Sequence, residues 1–517
     1  MSSSWNMGYQ TDLLYTYGYY KELNPLYAKA VFTFAGLAFP DMKAGYACEL
    51  GFGQGVSINM HAAASDTHWY GTDFNPAQVN FAKHLATLGG INVKLHDEAF
   101  GDFAQRDDLP MFDYICIHGI WSWISRENQG YLVDFIRDHL KVGGVLYISY
   151  NVSPGFITFE PVRQLMAEFN LAKLPDDLNY NERFKAIGNF LAGLLQTNPA
   201  ATQANPTLPQ RINKVLAMDG HYLVGEYLNS YWDIIHFSDM AANLDRAKMS
   251  FACSATSTEL LDNFNLTAEQ QQFLAPYRGS TLYESIRDFM VNQQFRRDFF
   301  VKGKMPLALP QQEAAIDELL LVLITPAEEF AYQTNARLGQ VGFKKEIYKP
   351  ILELMSDYKP HSVGSMVQKL LASNNPKLTQ ENLYESIRTL FCVGVLAAAT
   401  NDISKESKER CLKINQALLR GKEIAEIHAL ASPVLQGAVH IQDVGFRILS
   451  LLQQEPQLKP HDVIEKLFAA IQKSGNTMNK EGKEVTDPKE QKKIITDFVN
   501  SFMEHYLPMY KALQMLP

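Results

Sequence analysis

The feature that most constrains the fold is an alternation of short apolar runs with helical segments between residues 45 and 151. The runs ACELGFG, HWYGTDF and NVKLHDE end in glycine or an acid, and PAQVNFAKHLATLGG and NQGYLVDFIRDHL have helical character. MFDYICIHGI is apolar throughout, which is typical of a strand buried on both faces. Strands that alternate with helices form a doubly wound, mainly parallel sheet. We therefore predict an α/β fold whose ligand lies at the carboxyl ends of the strands.

A glycine turn, in the stretch ELGFGQG, follows the first predicted strand. Gly51, Gly53 and Gly55 alternate there, and Glu49 precedes the first of them by two residues. A dinucleotide fingerprint would read GxGxxG, and a carboxylate beside it would repel a pyrophosphate but attract an ammonium or a sulfonium group. Asp73 ends the second strand, where it could accept hydrogen bonds from both hydroxyls of a ribose. The pattern favours S-adenosylmethionine over NAD as the ligand.

The same stretches carry a resemblance to a known family. ELGFGQG, GTDFNPAQV, FDYICIHGIWSW and SYNVSPGF resemble class I S-adenosylmethionine-dependent methyltransferases. The likeness is to the bacterial group with a methyltransferase regulatory domain, which includes the rickettsial protein-lysine methyltransferases. GEYLNSYWDIIHFSDMAANL and DFMVNQQFRRDFFVKG resemble that group as well, so the likeness extends to residue 303 and more loosely to the end of the chain.

The resemblance implies a set of cofactor-binding residues: Glu49, Gly51, Gly53, Gly55, Asp73, Phe74, Asp97 and Glu98. The glycines would let the backbone approach the methionine part of the cofactor, with Glu49 nearby. Asp73 would bind the ribose hydroxyls, and Phe74 would lie against the adenine. Asp97 and Glu98 share the predicted contact with the adenine amino group, because the acid after the third strand cannot be placed to one residue.

The methyl acceptor is expected beside the segments IHGIWSW and SYN, which end core strands on the same rim as the glycine turn. Trp121, Trp123 and Asn151 are the candidate residues of the substrate channel. Tyr150 or His118 would accept the proton of an acceptor amine, since a lysine amine has a pKa of ~10.4 and must be neutral to attack. Core packing is the alternative for the tryptophans and the histidine. The chemistry needs no metal, and no ligand spacing such as HExxH occurs in the sequence.

Composition restricts the class of protein further. The chain has 47 basic and 56 acidic residues and a net charge of −9, which argues against a nucleic-acid-binding surface. Its five cysteines form no CxxC motif, so reduced thiols in a cytoplasmic protein are predicted. We find neither a signal peptide nor a run of ~20 apolar residues and expect no membrane span.

The chain length predicts several domains. They are a cofactor-binding core with N-terminal helices (1–156), a helical insertion (157–222), the completion of the sheet with a helical excursion (223–303), a winged-helix-like module (304–402) and a helical C-terminal domain (403–517). The insertion is interpreted as a substrate contact or the contact of a homodimer. Glu381 and Glu385 in the predicted recognition stretch argue against DNA binding. Because the glycine turn lies upstream, removal of 304–517 is expected to leave cofactor binding largely intact.

The leading predicted function is methylation of lysine side chains of a protein, as the resemblance implies. One alternative is O- or N-methylation of a small metabolite or a glycan, since the same sheet serves all of these reactions. Another is a non-catalytic, methyltransferase-like interaction module, against which the complete set of acids and glycines argues.

Overall fold

The computed structural model describes residues 17–175, 178–217, 226–421, 426–474, 478–480 and 483–517. A seven-stranded sheet forms the centre of the first half of the chain. Its strands are β1 (Tyr46–Leu50), β2 (His68–Asp73), β3 (Lys94–Asp97), β4 (Phe112–Ile117), β5 (Leu140–Asn151), β6 (Ser250–Ser254) and β7 (Phe295–Val301). They lie in the order β3–β2–β1–β4–β5–β7–β6, and β7 is antiparallel to both of its neighbours. The predicted doubly wound, mainly parallel sheet is thus confirmed.

Five described helices lie before and between the first five strands, and the third of them has the caps that the sequence predicts. They are Pro25–Phe34, Val56–Ala64, Pro76–Gly89, Phe100–Ala104 and Arg126–His139. Asn75 caps the third of these, because its side chain accepts from the Ala77 N–H at 3.0 Å. Gly90 ends the same helix with a φ of +62°, a conformation that favours glycine.

The helix Val56–Ala64, which follows the glycine turn directly, is buried at all of its residues. A helix buried on every side needs cover on its outer face as well as a sheet beneath it. Here the cover comes from the second half of the chain, namely the helix Lys405–Arg420 and the hairpin of Ala429–Ser432 with Gly437–His440. The cofactor-binding half and the C-terminal half therefore share one hydrophobic core. This contact removes the basis for expecting that 304–517 can be deleted without effect.

Two groups of helices interrupt the sheet after β5. Between β5 and β6 lie Glu160–Lys173, Tyr180–Gln196, Ala200–Ala204, Leu208–Leu216 and Phe237–Asp245. The helices up to residue 216 surround a hydrophobic cluster of their own that includes Phe159, Met166, Ile187, Leu191 and Ile212. Between β6 and β7 lie Asp262–Asn265, Ala268–Leu274 and Thr281–Val291. The predicted boundary at 222 and 223 falls outside the described residues.

The second half of the chain is mostly helical. Its helices are Leu309–Glu318, Lys345–Leu354, Val363–Leu371, Gln380–Cys392, Lys405–Arg420, Asp443–Gln454, Pro460–Ser474, Pro488–Ser501 and Leu507–Ala512. The strand Leu320–Leu323 pairs antiparallel with His361–Ser362 and Leu396–Ala398, and two further hairpins join Gln333–Ala336 to Gly339–Gly342 and Met478–Lys480 to Lys483–Val485. The winged-helix-like character of 304–402 stays a prediction. No helix among the described residues has the length and apolar character that crossing a membrane requires.

Candidate active site

A cavity of about 430 Å³ opens at the carboxyl ends of the strands, where the sequence predicts the ligand. The predicted residues that line it are Glu49, Gly51, Gly53, Gly55, Asp73, Phe74, Glu98, His118, Trp123 and Asn151. Three predicted residues do not line the cavity, namely Asp97, Trp121 and Tyr150. The structure therefore gathers most of the predicted set into one site.

The backbone of the glycine turn has positive φ angles, which residues with a side chain rarely adopt. Gly51 and Gly55 have φ angles of +76° and +67°. A Cβ atom on Gly51 would lie 2.4 Å from the Ile120 side chain, and one on Gly55 would lie 2.5 Å from the Ala82 Cβ. Packing behind the turn thus requires glycine at both positions. The turn leads directly into a helix N-terminus, and its backbone lines the cavity.

Two buried acids, Glu49 and Asp73, lie beside the turn. Asp73 accepts from the N–H groups of Gly53 and Asn75 at 2.9 and 3.0 Å. Burial raises the pKa of Asp73 to about 7. Burial, with Asp73 as the second cause, raises the pKa of Glu49 to about 8. Glu49 Oε2 has no hydrogen-bond partner among the described residues. A buried, unpaired carboxylate is stabilised by a cation, so this site fits the charged methionine part of S-adenosylmethionine.

The structure distinguishes the two acids that follow β3. Asp97 is exposed at the end of the strand, whereas Glu98 lines the cavity beside Phe74. Glu98 Oε1 forms an ion pair with Arg106 at 2.6 Å. Its Oε2 is buried without a hydrogen-bond partner in the described part of the chain. Glu98 therefore offers a free acceptor atom at the predicted adenine end of the cavity.

His118 lines the cavity at the segment IHGIWSW. We call the region of the cavity beside IHGIWSW and SYN, where the methyl acceptor is expected, the acceptor part. The Nδ1 of His118 lies 2.8 Å from the Tyr147 hydroxyl, and the Tyr20 ring contacts the imidazole at a centroid distance of 3.9 Å, tilted by 39°. Burial, with Arg297 as the second cause, lowers the pKa of His118 to about 3. The imidazole is therefore uncharged near neutral pH and is a weak base for an amine proton.

Asn151, at the end of β5, is a polar residue of the acceptor part. Its backbone N–H donates to Ser122 Oγ at 2.8 Å, which fixes the residue against the segment after β4. The side chain is 1% exposed, and neither amide atom has a hydrogen-bond partner among the described residues. An orphaned buried amide costs stability unless a ligand satisfies it.

Tyr150 and Trp121 lie on the opposite side of the sheet from the predicted channel. Side chains alternate along a strand, so Tyr150 faces away from the cavity that its neighbour Asn151 lines. Both aromatic residues belong to the hydrophobic cluster on that side. The Tyr150 hydroxyl donates to Asp298 Oδ2 at 2.5 Å, and Asp298 also accepts from Arg296 Nε at 2.7 Å. The structure thus corrects the predicted position of both residues.

Tyr150→Phe should consequently reduce stability and leave cofactor affinity unchanged. The substitution removes one donor from a buried carboxylate, which costs ~1–3 kcal/mol of unfolding free energy. Thermal and urea unfolding would measure that loss, and calorimetry would measure the affinity for S-adenosylmethionine. Tyr131→Phe is the matched control, because the Tyr131 hydroxyl bonds to Glu127 at the surface. Unchanged stability with lost turnover would restore the catalytic role of Tyr150.

Several residues of the cavity are absent from the predicted set. They are Gly18, Tyr20, Gln54, Gln78, Phe156, Glu226, Phe295 and Arg297. Gln54 lies in the glycine turn and Gln78 on the helix Pro76–Gly89, and the others come from the segment before the first helix, from the edges of the insertion and from β7. The quoted stretches contain most of them, but which side chains reach the cavity depends on segments that meet only in the folded chain.

Comparison with known proteins agrees with this geometry. Residues 47–144 match the methyltransferase domain family, and residues 219–302 match a predicted methyltransferase regulatory domain. An uncharacterized protein of Synechocystis sp. is 31% identical over 516 residues, with 99% of both chains covered. The chain belongs to this methyltransferase family. A second uncharacterized protein, from Rickettsia prowazekii, is 23% identical over 280 residues, which are 54% of this chain and 49% of the relative.

The methyltransferase also shares its fold with a solved rickettsial structure. PKMT2 from Rickettsia typhi, in complex with AdoHcy, aligns with a TM-score of 0.70 at 17% identity and covers 97% of this chain and 99% of its own. The fold is that of the class I methyltransferases, and the enzyme depends on S-adenosylmethionine. The predicted family, fold class and cofactor are thereby confirmed.

Proposed function

We propose that this methyltransferase modifies lysine side chains of a protein substrate. The observation that carries the proposal is the aromatic lining of the acceptor part of the cavity, formed by Trp123, Phe156 and Phe295. Ring faces contact aliphatic chains and stabilise a cationic methylated amine by ~0.5–2 kcal/mol per ring. The resemblance of the sequence to rickettsial protein-lysine methyltransferases supports the same acceptor.

Each predicted cofactor residue has a proposed role. The glycine turn and Glu49 hold the methionine part, Asp73 binds the ribose hydroxyls, and Phe74 packs against the adenine. Glu98, rather than the exposed Asp97, accepts from the adenine amino group. The bound cofactor supplies an activated methyl group. The chain aligns the acceptor with the methyl group. It also excludes water from the cavity, and this desolvation lowers the pKa of a lysine amine.

The helical insertion is proposed to contact the protein substrate. Phe156 lies directly before it and Glu226 shortly after it, and both line the cavity. Arg211, on the insertion helix Leu208–Leu216, donates to the Gly155 carbonyl at 2.7 Å and lies 4.9 Å from the centroid of the Phe156 ring. The insertion is therefore fastened to the rim of the acceptor part. A homodimer through this region is the alternative, which the molar mass in solution tests.

Labelling of a cell lysate with radioactive S-adenosylmethionine tests the proposed acceptor. We expect label on protein bands, with mass spectrometry locating the methyl groups on lysine Nζ. Asp73→Ala serves as the control that should lose the label. Label confined to small molecules would favour the metabolite or glycan alternative, and methyl groups only on carboxylates or hydroxyls would reject lysine as the acceptor.

A further inference from the structure

Glu226 is an acidic group of the acceptor part that is not among the predicted site residues, although the stretch GEYLNSYWDIIHF contains it. It lines the same cavity as Trp123 and Asn151, and it is 8% exposed. Among the described residues, its carboxyl forms neither a hydrogen bond nor an ion pair, and burial alone raises its pKa to about 7. A buried carboxyl without a partner is unfavourable unless a ligand completes it.

The backbone around Glu226 is held firmly from two sides. Trp123 Nε1 donates to the Glu226 carbonyl at 3.3 Å. Arg163, a buried residue of the insertion helix Glu160–Lys173, donates to the Tyr227 carbonyl at 3.0 Å and also to the Asn229 carbonyl. Side chains that fix a main chain in this way position the neighbouring carboxyl, as a binding site requires.

The charged groups around this part of the cavity have partners other than the Glu226 carboxyl, so the carboxyl can bind a ligand. They are Arg163 and Arg211 from the insertion, Arg297 from β7, His118 after β4, and the acids Glu49, Asp73 and Glu98 at the cofactor end. Arg163 and Arg211 bind backbone carbonyls, and Arg297 pairs with Glu22 at 3.2 Å. Each of these cations therefore has another partner, and His118 is neutral.

We propose that Glu226 and Asn151 bind the acceptor amine and that Glu226 removes its proton before methyl transfer. This inference rests on the proposed lysine methylation. An ammonium N–H bond breaks, and the proton forms an O–H bond with the Glu226 carboxylate. The neutral amine keeps the electron pair that methyl transfer needs. The Asn151 amide oxygen accepts from a second N–H of the same amine, and Glu226 later releases its proton to solvent.

Glu226 suits this task better than the two groups that the sequence favours. The Tyr150 hydroxyl is committed to Asp298 on the other face of the sheet. The pKa of His118 is lowered to about 3, so the ring is a far weaker base than a carboxylate whose pKa is about 7. General bases act best when their pKa lies near the working pH.

Kinetics of Glu226→Gln provide the first test. Loss of the base should lower kcat/KM for a lysine acceptor ~100-fold or more at pH 7.5. In the wild type, kcat/KM should rise up to pH ~7, as Glu226 becomes a carboxylate, and then level off. The carboxylate deprotonates the bound ammonium, so the amine does not have to be neutral in solution. In the variant kcat/KM should instead rise ~10-fold per pH unit up to pH 9. Glu353→Gln, at an exposed acid of the helix Lys345–Leu354 outside the insertion, is the matched control and should behave as the wild type.

Binding without turnover provides the second test. We expect n-butylamine to bind the AdoHcy-saturated enzyme in calorimetry and to bind Glu226→Gln at least ~10-fold more weakly, while n-butanol does not distinguish the two proteins. An unchanged AdoHcy affinity shows that the variant is folded. If Glu226→Gln unfolds, Glu226→Asp replaces it and should keep the levelling of the pH profile at a lower rate.

The outcomes separate the two proposals. Lysine methylation with a wild-type pH profile and wild-type amine binding in Glu226→Gln would overturn the role of Glu226 alone. Failure of the wild type to bind n-butylamine would overturn it as well. Methyl groups found only on atoms other than lysine Nζ would overturn both the proposed function and this inference.

Discussion

Asp73→Ala is expected to weaken the binding of S-adenosylmethionine by at least ~10-fold. In its proposed role the carboxylate accepts from two ribose hydroxyls, and hydrogen bonds to a charged group contribute ~1.5–3 kcal/mol each. Asp73 also accepts from the Gly53 and Asn75 N–H groups, so its loss loosens the glycine turn as well. Both effects lower affinity, since a mobile turn must be ordered by the ligand.

Two further variants separate these causes in calorimetry. Asp73→Asn keeps an acceptor oxygen for the turn but removes the charge, and it should give an intermediate affinity. Asp97→Ala is the matched control, because Asp97 is exposed and does not line the cavity. An unchanged affinity of Asp73→Ala would mean that the ribose binds elsewhere.

Removal of residues 304–517 should abolish the folded cofactor site, in contrast to the expectation from sequence. The helix Lys405–Arg420 covers the buried helix that follows the glycine turn, and its Ile414 and Leu418 are wholly buried. Arg410 donates to the Ser65 carbonyl at 2.7 Å and thereby fastens the end of that helix. Each buried aliphatic side chain contributes ~1.5–3 kcal/mol, whereas whole domains are stable by ~5–15 kcal/mol. Exposure of this face should therefore be enough to unfold the turn.

Soluble yield, thermal unfolding and AdoHcy binding measure this effect. Ile414→Asp should lower the unfolding temperature and AdoHcy affinity in the full chain, because it places a charge in the hydrophobic core that both halves of the chain share. Lys408→Asp, exposed on the same helix, is the matched control. A truncated chain that stays soluble and binds AdoHcy as the full chain does would show that the sheet alone holds the turn.

The alternation of strands and helices along the chain and the position of the cofactor site could be predicted from the sequence. Short apolar runs, helix caps and glycines at a turn are local features, and each acts within a few residues of the chain. Parallel strands end at the same edge, so Glu49, Asp73 and Glu98 meet once the alternation is recognised. The sequence could not choose between Asp97 and Glu98, because one residue along a strand end changes the direction of the side chain.

Tertiary structure alone determines which side chains of a strand face the cavity and which segments pack over the site. Asn151 and Tyr150 are neighbours in sequence, yet only Asn151 faces the cavity. Glu226 reaches the site because Trp123 and Arg163 hold its backbone, and Lys405–Arg420 covers a helix more than 340 residues upstream. These contacts join distant segments through burial and hydrogen bonding. No short pattern encodes them, because their energy arises only when the segments meet in the folded chain.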